Sequence, residues 1–217
     1  MNITGIIESV KTELMKYDNL DSIELEARLG IYDIDSSKFS SNIGSANYEK
    51  INEMLDTFKG WNNKKNEVST VYSKDNMRLK VSDSGDKSVI EKVKLKNLTY
   101  VLKDLPLDIR ISISRETPIP TNKFPRSFKT LPKRIKERIS REFQNASFDL
   151  TSVKVPVDKI MEQTFEFEVE HIGDFKNPEE AIFQIIYKVL DANYMLDGFQ
   201  RNEGMTLPLE LFEAIKV

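Results

Sequence analysis

Thr164-Phe165-Glu166-Phe167-Glu168-Val169-Glu170 alternates apolar and acidic side chains without a break. In an extended strand neighbouring side chains point to opposite faces, so Glu166, Glu168 and Glu170 share one face while Phe165, Phe167 and Val169 share the other. Far upstream, Ile23-Glu24-Leu25-Glu26-Ala27-Arg28-Leu29 has the same alternation. A solvated strand face would more naturally carry Thr, Tyr or Val, because Glu is depleted in strands. Like charges about 4 Å apart also repel by ~4 kcal/mol per pair at an effective dielectric of 20. Two rows of carboxylates therefore need something positive opposite them: a metal ion, cationic side chains, or both.

Composition narrows the choice. The chain has 217 residues, 39% of them hydrophobic, enough for one sizeable core. Its 32 basic and 35 acidic groups leave a net charge of −3. A protein that grips a long nucleic acid by its phosphates is usually frankly basic, so any RNA or DNA contact is expected to be local, at an end. The absence of cysteine removes disulfides, thiolate catalysis and cysteine zinc sites. His171 is the one histidine, too few for a histidine metal cluster, and reads as an ordinary strand-end residue. With oxygen donors alone in abundance, an implied metal is hard, Mg²⁺ or Mn²⁺ before zinc or copper. Neither common glycine-rich nucleotide cradle is present, nor a signal peptide or membrane span, which suggests a soluble intracellular protein.

Hydrophobic periodicity predicts a helix over about residues 3–17 and a second beginning at Ser45 as N-cap, with Trp61 beyond it as a core anchor. From Glu67 to Val155 the chain is almost all strand. Asp75-Asn76 suits a tight hairpin, and Gly85 a turn. The strands between carry cations at period two: Arg78 and Lys80; Lys92, Lys94 and Lys96; Arg134, Lys136 and Arg138. Arg110, Ser112, Ser114 and Glu116 alternate with Ile109, Ile111 and Ile113, and Asp149 shares a face with Thr151. Four prolines interrupt the ladder between Pro118 and Pro132, where Lys123, Arg126 and Lys129 form either a solvated connection or a basic rim. Asn177, Pro178, Glu179 and Glu180 open a third helix, and a short last one is expected around Leu209 and Phe212.

Acidic rows thus lie on the first and last strands, with basic rows between them. Closing the sheet brings the two ends together and turns opposite charges inward, where an eight-stranded barrel has room for side chains or one small ligand. Interior charges on this scale are costly unless a polyanion and its metal neutralise them. The expected fold is α+β, mainly β: a closed eight-stranded antiparallel barrel with a charged interior and helices packed outside. A single domain is expected over residues 1–217, with tunnel strands over about 21–172 and C-terminal helices over about 178–215.

The motif order Glu24-x-Glu26, Arg134-x-Lys136-x-Arg138, Asp149-x-Thr151, Glu166-x-Glu168-x-Glu170 resembles that of the triphosphate tunnel metalloenzymes. Within them it is most similar to the fungal and viral metal-dependent RNA 5′-triphosphatases that begin mRNA capping, above all the amino-terminal domains of mimivirus-type capping enzymes. The likeness covers about residues 20–172. One departure is Arg28, where the broader family has lysine.

That resemblance implies the following roles. Glu24, Glu26 and Glu170 would hold Mg²⁺ or Mn²⁺, with Glu166 and Glu168 orienting the shell. Arg78, Lys136 and Arg138, together with Lys92, Lys94 and Arg134, would grip the triphosphate, with Asp149 and Thr151 also at the substrate. Glu116 would orient the attacking water. Substrates would be triphosphate-ended RNA and nucleoside triphosphates. Guanylyltransferase and methyltransferase domains would act in cis or trans, and a monomer in the host cytoplasm or virion would fit a viral source. Two alternatives stay open: a tripolyphosphatase or nucleoside triphosphatase of the same fold, and a non-catalytic module for phosphorylated RNA ends, which would not need acidic strands.

Overall fold

A computed structural model describes residues 3–158 and 160–197. In chain order the elements are α1 (Ile3–Leu14), β1 (Ile23–Asp33), β2 (Lys38–Ser40), α2 (Ser45–Thr57), β3 (Asn63–Lys74), β4 (Met77–Ser82) and β5 (Lys87–Tyr100), then β6 (Asp108–Ile119), β7 (Lys133–Phe143), β8 (Ala146–Val157), β9 (Ile160–His171) and α3 (Pro178–Leu196). The strands follow the order β2-β1-β6-β5-β4-β3-β7-β8-β9, and β1 pairs again with β9. Eight strands therefore form a closed antiparallel barrel, with β2 added at the end of β1. The closing register sets Glu26 opposite Glu170 and Arg28 opposite Glu168, so the two acidic rows share one inner face.

Outside, the apolar halves of the same strands make the core. Leu25, Ala27 and Leu29 of β1, Ile109, Ile111 and Ile113 of β6, and Phe167 and Val169 of β9 are buried with Val10 and Leu14 of α1 and Ile182, Ile185, Ile186 and Val189 of α3. Trp61 packs edge-on against Phe58 and Phe148, and its indole N–H donates to the Leu55 carbonyl at 2.9 Å, the anchor its sequence position suggests. Across the barrel from the helices, Phe124 of the proline-rich segment joins Leu79 and Val89 in a smaller cluster, with Phe128 and Tyr72 beside it. That segment is thus anchored on the outer wall of β4 and β5.

The structure corrects three local expectations. Helix α1 stops at Leu14 rather than 17, because Leu14 is the last residue of its buried stripe and Met15 is exposed. Ser45 is the first helical residue of α2, not its cap. Gly44 takes the cap position at φ +78°, and the Asn42 side chain accepts from the Gly44 and Phe165 amides. A β-bulge between Lys94 and Lys96 sets Lys96 opposite Ile113, so Lys96 leaves the face of Lys92 and Lys94. Asn177 caps α3 as expected, accepting from the Glu180 amide at 3.2 Å. The helix expected around Leu209 and Phe212 lies outside the described residues. No described helix is long and apolar enough to cross a membrane.

One buried side chain locks α3 onto the barrel. Asn193, with no exposed surface, donates to the Leu107 carbonyl at 2.6 Å and accepts from the Leu107 amide at 3.2 Å. Asn193→Ala strands both backbone groups, each costing ~1–3 kcal/mol when buried without a partner. Urea denaturation should show a loss of about 2–4 kcal/mol.

Candidate active site

A cavity of about 470 Å³ lies inside the barrel. Its shape follows from strand alternation, which turns Glu24, Glu26 and Arg28 of β1 inward together with Lys92 of β5, Glu116 of β6, Lys136 and Arg138 of β7 and Glu168 and Glu170 of β9. Arg78 and Lys80 of β4 complete the far wall.

Three cations hold the acidic rows. Arg28 donates to both Glu26 oxygens at 2.9 and 3.0 Å and to Glu166 at 3.1 Å, and its second Nη lies 2.5 Å from Glu168. Arg138 donates to Asp149 at 2.7 Å, Glu168 at 2.8 Å and the Thr151 hydroxyl at 3.1 Å. Lys92 bridges Glu24 at 2.5 Å and Glu116 at 2.9 Å. Burial raises the Glu24 pKa, reinforced by its contact with Glu116. At Glu116 burial also pushes upward, but the hydrogen bond with Glu24 and the charges of Lys92 and Arg78 bring the pKa net below its usual value. Arg78 and Lys136 line the cavity with no ion-pair partner among the described residues. Burial, with the neighbouring Arg138 charge, drops the Lys136 pKa to about 8. These two cations are available to an incoming anion.

The acidic side is under-neutralised. Asp149, Glu168 and Glu170 each bring a carboxylate oxygen within 4.8 Å of the others. Burial, then the nearby Glu24 and Glu168 charges, lift the Glu170 pKa to about 9. Carboxylate oxygens converging with one charge uncompensated are a donor set that fits a hard divalent cation.

The expected site residues thus fall into distinct places. Glu24, Glu26, Glu168, Glu170, Lys92, Glu116, Arg78, Lys136 and Arg138 line the cavity. Asp149 and Thr151 are buried behind Arg138 and position it, with Ser147 donating to Asp149 at 2.7 Å. Glu166 is also behind the lining, held by Arg28 and by the Ser41 hydroxyl at 3.2 Å. Lys94 and Arg134 carry on the rows of Lys92 and Lys136 but are exposed beyond the lining. His171 is buried against Phe175, its pKa lowered by burial, and does not line the cavity. Sequence reasoning missed how central Arg28 is and that Ser114 donates to Glu24 at 3.3 Å. The alternation of Ser112, Ser114 and Glu116 was the available signal for the serine.

A closed antiparallel barrel enclosing cations and carboxylates is the architecture of a triphosphate tunnel. Residues 29–180 match the family described as mRNA capping enzyme, beta chain, and the chain belongs to that family of RNA 5′-triphosphatases, hydrolases of mRNA capping. Among solved structures, the Schizosaccharomyces pombe Pct1 RNA triphosphatase superposes with a TM-score of 0.72 at 18% identity, covering 89% of this chain and 93% of that one. The RNA triphosphatase domain of a trifunctional mimivirus mRNA capping enzyme gives 0.59 at 16% identity, covering 88% and 97%. Pct1 in complex with the Spt5 CTD gives 0.70 at 19%, covering 89% and 92%. No curated protein matches the chain.

The raised Glu170 pKa has a consequence for the metal-free protein. A carboxyl that stays protonated to about 9 in the folded state but ionises near 4.5 when unfolded contributes fully only below about 4.5. Stability is then lost as pH rises from that value through about 9. Urea midpoints measured in EDTA should show Glu170→Gln above wild type at pH 8, with the difference shrinking toward pH 5.

Proposed function

We propose that the tunnel hydrolyses the β–γ anhydride of a 5′-triphosphate with Mg²⁺ or Mn²⁺, converting triphosphate-ended RNA to a diphosphate end, and that it also accepts nucleoside triphosphates. The observation that carries this reading is the facing of two unpaired inward cations, Arg78 and Lys136, onto an under-neutralised carboxylate cluster. A non-catalytic RNA-end module would need the cations and not the carboxylates.

Arg78, Lys136 and Arg138 would bind the phosphate oxygens and offset the charge that spreads over the transferring phosphoryl group. Asp149 and Thr151 would keep Arg138 aimed into the tunnel. Glu170 and Glu168, with Asp149 and with Glu24 and Glu26 once their cations turn to the substrate, are the oxygens that would hold the ion. When bound, that ion supplies charge neutralisation at the phosphate oxygens. Glu116 would orient the attacking water and take its proton as the new P–O bond forms and the bridging oxygen leaves with its electron pair on the diphosphate. Products are orthophosphate and the diphosphate end, which a guanylyltransferase would consume. The trifunctional mimivirus enzyme and the Pct1 complex with the Spt5 CTD support partners in cis or in trans. The experiment that tests the reading is release of labelled phosphate from γ-labelled triphosphate-ended RNA, with and without Mn²⁺.

Metal binding and water activation separate by substitution. Glu116→Gln keeps size and loses the basic charge, so kcat should fall by roughly 10²–10⁴ with metal affinity held and no rescue by added Mn²⁺. Glu170→Gln should weaken metal binding and recover at least partly at high Mn²⁺. Recovery of Glu116→Gln by metal would make Glu116 a ligand. Near-normal turnover of Glu24→Ala or Glu26→Ala would remove those residues from the metal site.

A further inference from the structure

Strand direction sorts the inward-facing residues into two ends. β1 and β5 run toward one end, while β6 and β7 run away from it. At that end the inward register continues as Arg28 on β1, Arg110 on β6, Lys94 on β5 and Arg134 on β7, four cations set among the carboxylates of Asp108 on β6 and Glu162 on β9. Lys94 and Arg134 are exposed, and among the described residues neither they nor Arg110 has an ion-pair partner. At the opposite end Lys65 and Lys80 are both tied to Glu67, with Glu142 nearby on the lining. Among the described residues the first end thus offers a polyanionic chain three cations without an ion-pair partner, Lys94, Arg110 and Arg134.

That end also carries an aromatic ring in an unusual place. Gly30 continues the inward row of β1 two residues past Arg28, and Phe39 of β2 occupies the space its missing side chain leaves. A Cβ there would lie 2.5 Å from Phe39 Cζ and 2.1 Å from the Ser40 carbonyl oxygen. The Phe39 ring lies 4.6 Å over the Arg110 guanidinium and is partly exposed. An aromatic face backed by a guanidinium stacks on any nucleobase, since every base has a π face.

We propose that substrate enters through this end and that Phe39 on Arg110 is a platform for the nucleoside that follows the triphosphate. The inference rests on the triphosphatase reading and deepens it by naming the group recognised beyond the phosphates. Lys94 and Arg134 meet the phosphodiesters that follow in an RNA.

Steady-state phosphate release with Mn²⁺ is compared for tripolyphosphate, ATP and a triphosphate-ended RNA oligonucleotide. In Phe39→Ala the ratio of kcat/KM for ATP to that for tripolyphosphate should fall roughly tenfold, carried by KM, and the RNA ratio likewise, with Phe39→Tyr restoring both. Gly30→Ala, which displaces the ring, should act in the same direction. Replacing Lys94 and Arg134 by Ser should flatten the salt dependence of KM for RNA more than for ATP. A Phe39→Ala variant whose ratios match wild type overturns the platform, and so does an equal loss on all three substrates with a lowered Tm. Wild-type protein that releases phosphate from ATP but not from RNA overturns the triphosphatase reading, and the ATP ratio still decides the platform. If none is hydrolysed, calorimetric binding of ATP against tripolyphosphate by wild type and Phe39→Ala decides it.

Discussion

Charge balance inside a closed barrel is the constraint on which this structure turns. The β1–β9 seam puts Glu26 beside Glu170 and Arg28 opposite Glu168, so closing the sheet concentrates carboxylates that an open sheet would leave in water. Arg28 makes closure tolerable by meeting Glu26, Glu166 and Glu168 at once. A guanidinium suits that task better than an ammonium, because its planar fork spans several carboxylates while staying charged. A lysine at this position could not hold three carboxylates on two strands in this way, which accounts for Arg28 in structural terms. What Arg28, Arg138 and Lys92 leave unbalanced is the charge that a metal and a polyphosphate would divide between them.

Much of this was legible in the sequence because strand alternation is a strict code. Period two assigned Glu24, Glu26, Lys136, Arg138, Glu168 and Glu170 to one face, and the opposite signs of end and middle rows implied closure. The code gives the face, however, and not the partner. Asp149 and Thr151 are on the expected face, yet both also reach sideways to hold Arg138. The β5 bulge was invisible for a related reason. Lys92-Val93-Lys94-Leu95-Lys96 alternates without a flaw, and nothing in those residue types records that the backbone slips after Lys94. The position of Phe39 depends on a three-residue strand folding back over Gly30, a tertiary event with no periodic signature.

The site's electrostatics and the fold's stability pull in opposite directions. The outer faces of β1, β6 and β9 are packed with leucine, isoleucine and phenylalanine in one core with α1 and α3, and they supply the driving force for folding. The inner half opposes it, since buried like charges stabilise only when each is met by a counter-charge or a proton. The same strands therefore carry both terms, alternating residue by residue.

The helices cover only part of the barrel. On the side of β4 and the first half of β5 the wall is one sheet thick, buttressed by the proline-rich segment through Phe124 and Phe128 rather than by one of the three described α-helices. Arg78 projects inward from this wall, between Leu79 behind it and the cavity in front. The barrel is therefore asymmetric in its support: the strands that bear Glu24, Glu26, Glu168 and Glu170 have helices behind them, and the strand that bears Arg78 has a looped segment instead.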